Sequence, residues 1–238
     1  MFRFSIFGIP VEVQPFFWVI TALLGGATGA DSKEAFLAVT LFIMAAFVSI
    51  LIHELGHALT GRHLGGGRAL ILLTSMGGLA INQGGRFNRQ QRFWMIAAGP
   101  GAGFAFLALI LAILSIAFGA PDTLRWVSAE LFGLGLPDMA GKLVAFFNEK
   151  PFMYALLSNL VWINFWWGLL NLLPIMPLDG GQITELFVRP PRRVYLIGAI
   201  VAAAAAVFGF VKMESIFMAL MFGYFAWKNH QGYKQLGG

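Results

Sequence analysis

The sequence contains no cysteine, and only 11% of its 238 residues are charged. The lack of thiols excludes disulfide bonds and thiolate metal sites. Soluble domains carry about 25% charged residues, so the low charge and a mean hydropathy of +0.77 are typical of a membrane protein. The net charge is +5, but the basic residues lie at the ends of apolar segments and form no stripe. Nucleic-acid binding is therefore not expected.

Six apolar segments are predicted to form transmembrane helices. They run over about residues 15–29, 35–59, 91–119, 152–173, 194–211 and 215–227. The first is the weakest of the six. Only the break at residues 212–214 separates the last two, which predicts a helical hairpin. The sequence thus predicts an all-α polytopic membrane protein, with Asn88 and Gln91 capping the third helix.

The segment between the second and third predicted helices does not fit a transmembrane span. Glycines at positions 65–67 and at Gly77 and Gly78 flank an apolar run that is too short to cross a bilayer. Irregular backbone at membrane depth must be hydrogen-bonded by protein or by water in a cavity. Residues 64–83 are therefore predicted to form a short β-hairpin that dips into the helical bundle.

The basic residues predict the orientation of the bundle, because Lys and Arg are enriched in short cytoplasmic loops. Eleven of the 16 basic residues fall on one side: Arg3, Arg62, Arg68, Arg86, Arg89, Arg92, Arg189, Arg192, Arg193, Lys228 and Lys234. We therefore predict cytoplasmic termini, with the second and fourth helices running towards the cytoplasm and the loop 120–150 on the opposite side.

The segment His53-Glu54-Leu55-Gly56-His57 lies within the second predicted helix and matches the metal-binding motif H-E-x-x-H. Residues four apart lie on one face of a helix, about 6 Å apart along its axis, so both imidazoles can reach one ion. The alternative is a pair of packed core histidines. However, an ionisable residue within the bilayer costs about 3 kcal/mol or more. We predict one Zn²⁺ per chain, bound by both histidines, with Glu54 as the general base.

A third zinc ligand is predicted just after the fourth helix. Pro174 and Pro177 end regular helix there, and Gly180 and Gly181 allow close approach of the backbone. Asp179 lies beside them, and the predicted topology places it in the same leaflet as the histidines. An ordinary turn is the alternative interpretation of this Pro-Leu-Asp-Gly segment.

Two motifs of this sequence resemble those of the site-2 protease family of intramembrane zinc metalloproteases. The first is the motif at residues 53–57, and the second is Asn171-x-x-Pro174-x-x-x-x-Asp179-Gly180. The pair at positions 99–100, Gly-Pro, is similar to a further motif of the family, and the predicted hairpin is similar to the family's membrane-dipping hairpin. The resemblance extends over most of the chain.

The resemblance implies a zinc-dependent endopeptidase that cleaves transmembrane segments of membrane-anchored proteins. It also implies that Asn171 contacts the substrate or the developing oxyanion, with a side-chain role in helix packing as the alternative. Many members carry a PDZ or CBS module, but residues 119–153 are too few for a typical domain. We therefore expect residues 1–238 to form a single membrane-embedded metalloprotease domain. Its expected partners are a single-span membrane protein substrate and the lipid bilayer of a prokaryotic cell membrane.

A transmembrane substrate is helical, so its backbone must unwind before hydrolysis. Extended substrate is predicted to add as a strand to residues 69–75 of the hairpin, with Leu72, Leu73, Gly77 and Gly78 at the contact. In the alternative interpretation the hairpin only fills the bundle.

The metzincin family offers a different third ligand, because His63 follows His57 by six residues. Thr60, however, occupies the position of the glycine that turns the chain in metzincins. His63, next to Arg62, is therefore predicted to lie at the membrane surface.

A metal transporter or channel is the alternative functional class, since transport also places ionisable residues within the membrane. Transport requires ligands along a path. This sequence concentrates its intramembrane acidic residues at Asp179 and at Glu54 between the two histidines, which favours hydrolysis.

Overall fold

The computed structural model describes residues 1–134 and 141–236. Within these residues the strands are β1 Phe2–Ile6, β2 Ile9–Val13, β3 Arg68–Thr74 and β4 Gly77–Gln83. The helices are α1 Pro15–Leu24, α2 Lys33–Gly65, α3 Arg89–Phe118, α4 Ala120–Phe132, α5 Lys142–Glu149, α6 Pro151–Asn171, α7 Asp179–Phe187, α8 Pro191–Val211 and α9 Ile216–Gln235. A short 3-10 helix, Ala27–Gly29, follows α1.

Helices occupy all six predicted apolar segments, and four of them are long and apolar enough to cross a membrane. These four are α2, α3, α6 and α8. Helix α1 is apolar but has only 10 residues, and the second half of α9 carries Lys, Asn, His and Gln side chains. The predicted cap of α3 is confirmed, because the Asn88 side chain accepts from the Gln91 N–H while the Gln91 side chain accepts from the Asn88 N–H.

The chain is mostly helical, as predicted, but the predicted hairpin is part of a larger sheet, which has four strands in the order β1-β2-β3-β4. Strands β1 and β2 form an N-terminal hairpin around Phe7 and Gly8, whose φ angles of 50° and 72° suit a two-residue hairpin turn. Strand β2 buries alternate residues, Ile9, Val11 and Val13, and pairs in parallel with β3.

The predicted hairpin at residues 64–83 is present as β3 and β4, but the predicted docking strand is wrong. Leu72 pairs with Glu12 and Leu73 with Val13 on one side, while β4 pairs with both leucines on the other. The middle of β3 is therefore internal to the sheet, because the N-terminal hairpin occupies its second edge. Among the described strands, β4 is the free edge of this hairpin.

The loop predicted at residues 120–150 contains two helices, α4 and α5. Trp126 of α4 and Leu143 and Phe147 of α5 are buried in a hydrophobic cluster that also includes residues of α3 and α6. This cluster covers the ends of the helices that lie away from the histidine motif.

Helix α2 is at the centre of the bundle and packs against α3, α6 and the β3–β4 hairpin. Gly56 of α2 allows a close approach to α3, because a Cβ atom at this position would overlap with the carbonyl group of Ala98. Small residues at such contacts are typical of helix pairs within membranes. The histidine motif of α2 is thereby enclosed between α3, α6 and the sheet.

Candidate metal centre

His53 and His57 lie one helical turn apart on α2 and point to the same place, as predicted. Their Nε2 atoms are 3.1 Å apart. His53 is 4% exposed and the intervening Glu54 is 5% exposed. The motif is therefore buried within the protein and does not face lipid.

Asp179 joins the two histidines, which brings together residues that are more than 120 positions apart. Its Oδ2 atom lies 3.1 Å from Nε2 of His53 and 3.3 Å from Nε2 of His57. Asp179 is the first residue of α7, where the helix dipole favours a negative charge.

The geometry of these three residues fits a tetrahedral zinc ion. Zinc bonds of about 2.0–2.1 Å separate tetrahedral ligand atoms by about 3.4 Å, close to the spacing of the two Nε2 atoms and Oδ2. Oδ2 of Asp179 is buried and accepts no well-directed hydrogen bond within the described part of the chain. Its lone pair and those of the imidazoles are thus free for a shared ion, and three protein ligands leave a fourth position for water.

The orientation of His57 is fixed by α3. Its Nδ1 atom donates to the carbonyl oxygen of Met95 at 2.9 Å, so the Nε2 lone pair faces the predicted metal. One turn further along α3, a Cβ atom at Gly99 would overlap with the imidazole of His57. Glycine at this position therefore makes room for the ligand, which gives the Gly99-Pro100 pair a structural role.

Glu54 lies against the free edge strand of the sheet. A Cβ atom at Gly78 would overlap with the side chain of Glu54. The predicted hairpin residue Gly78 thus contacts the predicted general base directly. Gly77 packs on Trp167 of α6, 3.1 Å from the position of an added Cβ.

The remaining predicted residues lie outside this cluster. Asn171 is buried at the end of α6, where its Nδ2 donates to the carbonyl oxygen of Trp167 at 2.9 Å. Leu73 is fully buried and Leu72 is partly buried in the internal strand β3. His63 is exposed in the last turn of α2, away from the three ligands, as predicted.

A polar pair that none of the sequence motifs includes lies beside the metal ligands. Asn164 of α6 donates to the Oγ atom of Ser49 at 2.8 Å, and both side chains are buried. Ser49 is one helical turn before His53. Polar residues inside otherwise apolar spans are a recognisable signal of such contacts.

A bundle of apolar helices around an H-E-x-x-H motif and a distant aspartate is the arrangement of a membrane zinc metalloprotease. Residues 41–213 match the sequence model of peptidase family M50. The chain belongs to this family, which is that of the site-2 proteases.

Individual relatives agree with this assignment. A zinc metalloprotease of Methanocaldococcus jannaschii is 27% identical over 230 residues, 93% of this chain and 58% of that protein. Stage IV sporulation protein FB of Bacillus subtilis is 28% identical over 179 residues, 75% of this chain and 47% of that protein. The chain thus spans between 37% and 58% of the length of the curated relatives it matches.

The fold is similar to that of a solved structure, the site-2 protease from Methanocaldococcus jannaschii. The TM-score is 0.58 at 22% identity, and the similarity covers 98% of this chain and 94% of the other. The helices and the sheet therefore form the fold of a site-2 protease.

Proposed function

We propose that this chain is a zinc-dependent endopeptidase that cleaves transmembrane segments of membrane-anchored proteins. The main observation in support of this proposal is that the side chains of His53, His57 and Asp179 lie together. Glu54 is next to His53 on the same helix. Two of these ligands and Glu54 lie on a helix that is apolar enough to span a membrane. A site of this composition within such a helix suits hydrolysis of a substrate that is itself in the membrane.

Peptide hydrolysis at this site would need both a zinc ion and residues of the protein. A zinc ion bound to the three residues would lower the pKa of a water molecule and polarise the scissile carbonyl. Glu54 accepts the proton of that water and donates it to the leaving amine. The Met95 carbonyl keeps His57 in the tautomer that a metal requires. Asn171 remains the proposed contact to the substrate or the oxyanion, since only one of its two amide hydrogens is used by Trp167.

The substrate backbone is proposed to add to the free edge of β4. This strand replaces residues 69–75 as the docking site, because the middle of β3 is internal to the sheet. The support for β4 is its contact with Glu54 at Gly78. Backbone hydrogen bonds to an edge strand offset those that an unwinding helix loses.

The active site and both termini are proposed to lie on the cytoplasmic side of a prokaryotic cell membrane. The support is the distribution of the basic residues, eleven of which fall on one side of the predicted spans. Residues 1–238 are proposed to form one catalytic domain, whose substrate is a single-span membrane protein. Helix α7 contacts both α3 and α8. These contacts support the proposal that the helices around the site belong to one domain.

The decisive experiment measures zinc content and hydrolysis in one preparation. The purified chain is expected to contain one zinc per polypeptide and to cleave a single-span membrane protein in detergent or vesicles. A chelator should abolish cleavage, and zinc should restore it. A chain that contains zinc but transports it across vesicles without cleaving any single-span protein would instead be a transporter. The described residues contain a single group of three potential ligands at metal distance, which supports hydrolysis over a transport path.

A further inference from the structure

A side chain of the last helix reaches the backbone next to the third zinc ligand. Asn229 of α9 is 1% exposed. Its Nδ2 atom donates to the carbonyl oxygen of Met176 at 2.7 Å, and its Oδ1 atom accepts from the Met176 N–H at 3.1 Å. The second hydrogen of Nδ2 is donated to the carbonyl oxygen of Phe225 at 2.8 Å. One amide thus binds both backbone polar groups of Met176 and is itself fixed to α9.

Met176 belongs to the segment 172–178, which joins α6 to α7 and ends immediately before Asp179. The segment packs tightly on the first turn of α7. A Cβ atom at Gly181 would be 2.7 Å from the backbone nitrogen of Met176. The Met176 backbone therefore lies between Asn229 on one side and the helix turn that begins with Asp179 on the other.

We propose that Asn229 is a positioning residue for the zinc ligand Asp179. It touches neither the metal ligands nor the reacting atoms, and it acts through the backbone of Met176, three residues before Asp179. This inference rests on the proposed zinc site. It means that the α8–α9 hairpin helps to hold Asp179 in position at that site.

Helix α8 is shaped to accommodate this contact. A Cβ atom at Gly198 would overlap with Oδ1 of Asn229 and would lie 3.3 Å from the carbonyl oxygen of Pro174. Glycine at position 198 therefore leaves room for the Asn229 amide and for the segment that it binds. The only hydrogen-bonding partner of Met176 among the described side chains is Asn229.

The Asn229 side chain is buried, and the residues around it are mostly apolar. Ile175, Ala202, Phe222 and Phe225 are buried in one hydrophobic cluster at this junction of the segment with α8 and α9. Backbone groups that lose a hydrogen-bonding partner beside apolar residues become costly unless the chain shifts to find another. Loss of the Asn229 amide is therefore expected to release the segment from its position, and Asp179 would move with it.

The test compares zinc affinity in the full-length wild type, Asn229→Leu and Asn229→Asp. Zinc dissociation constants are measured by competition with a chromogenic chelator, and the Co²⁺-substituted proteins are compared by visible absorption, which depends on coordination geometry. Asn229→Leu removes both contacts and is expected to weaken zinc binding about tenfold or more. Asn229→Asp keeps the acceptor for the Met176 N–H but places a carboxylate oxygen against the carbonyl oxygens of Met176 and Phe225, so weaker zinc binding than in the wild type is expected here too.

A matched pair of glycine variants separates positioning from general helix packing. Gly198→Ala displaces Asn229, whereas Gly209→Ala adds the same methyl group elsewhere between α8 and α9, 2.8 Å from the Cβ atom of Met218. Gly198→Ala should weaken zinc binding and change the Co²⁺ spectrum in the same direction as Asn229→Leu. Gly209→Ala should keep the wild-type zinc affinity and spectrum, even if its thermal stability falls.

Wild-type affinity and spectrum in both Asn229→Leu and Gly198→Ala would overturn the inference, as would an equal loss of affinity in Gly209→Ala. If Asn229→Leu does not fold, the zinc affinities of Gly198→Ala and Gly209→Ala decide whether Asn229 positions Asp179. Failure of the wild type to bind zinc would reject the proposed function itself, so the two failures are distinguishable.

Discussion

The Nδ1 atom of His57 lies 2.9 Å from the carbonyl oxygen of Met95. This contact joins the zinc-binding helix α2 to α3, and it sets both the tautomer and the ring orientation of the ligand. Gly99, one turn further along α3, leaves space for the same ring. The metal site is therefore built by packing between two helices as well as by the ligands themselves.

Gly99→Ala should displace the His57 ring and reduce zinc affinity. Substitutions of residues that hold a metal ligand in position typically lower metal affinity about 10- to 100-fold. Gly101→Ala on the same helix is the matched control, because nothing lies within 4 Å of a Cβ atom added there. The measurement is chelator competition on both purified variants. Equal zinc affinity in the two variants would show that the fit of His57 against Gly99 is not needed for binding.

Glu54→Gln should retain zinc but lose hydrolysis. Glutamine keeps the size of the side chain and cannot take a proton, so cleavage should fall by about 10²- to 10⁴-fold. Zinc stoichiometry and cleavage of a single-span protein are measured on the same sample. Substantial cleavage with full zinc content would exclude Glu54 as the general base.

Asp179→Ala should lose zinc affinity, because one of three protein ligands is removed. His63→Ala is its control, since His63 is exposed and lies apart from the ligand group. We expect wild-type zinc content in His63→Ala and strongly reduced content in Asp179→Ala. The reverse result would assign the third ligand to His63 and contradict the proposed site.

A cysteine at Leu79 should cross-link to bound substrate. Leu79 is an exposed residue of β4, with 53% of its surface accessible, and Phe2 on the opposite edge strand β1 is similarly exposed at 57%. The chain contains no cysteine, so Leu79→Cys and Phe2→Cys each provide one reactive thiol. In a Glu54→Gln background, a substrate with a cysteine near its cleavage site should form a disulfide with position 79 and not with position 2. Cross-linking at both positions alike would argue against strand addition at β4.

Impermeant thiol reagents test the proposed orientation. Arg89→Cys and Lys150→Cys place single thiols at exposed positions on opposite sides of the predicted spans. In intact cells, position 150 should be labelled from outside, while position 89 should react only after the membrane is opened. The opposite pattern would place the active site in the other leaflet.

The features that the sequence predicts correctly depend on short-range spacing. The four-residue separation of His53 and His57 places both on one face of any helix, and the Asn88–Gln91 cap needs only one helical turn. The glycines around the hairpin similarly mark a break in an apolar pattern. These features are local, so their geometry follows from the sequence.

The remaining features depend on contacts between distant segments. Val11 and Leu72 belong to strands separated by the whole of α2, and no local pattern specifies that they lie in neighbouring strands. The pairing of β2 with β3 therefore does not follow from either segment alone, and the sequence predicts β3 as an available edge although β2 covers it. The contact of Asn229 with Met176 is equally non-local. A polar residue in an apolar helix indicates that a partner exists but does not identify it.

The parallel pairing of β2 with β3 also constrains how the protein is made. Residues 11–13 leave the ribosome before α2, yet their partners, residues 71–73, follow α2. The sheet can therefore close only after the helix that carries His53 and Glu54 has been synthesised, and the closed loop between the two strands contains that entire helix. Since β4 follows β3 in the chain, the edge beside Glu54 is synthesised last of the four strands. During biogenesis, the helix with the catalytic motif is thus synthesised before the strand that is proposed to receive a substrate.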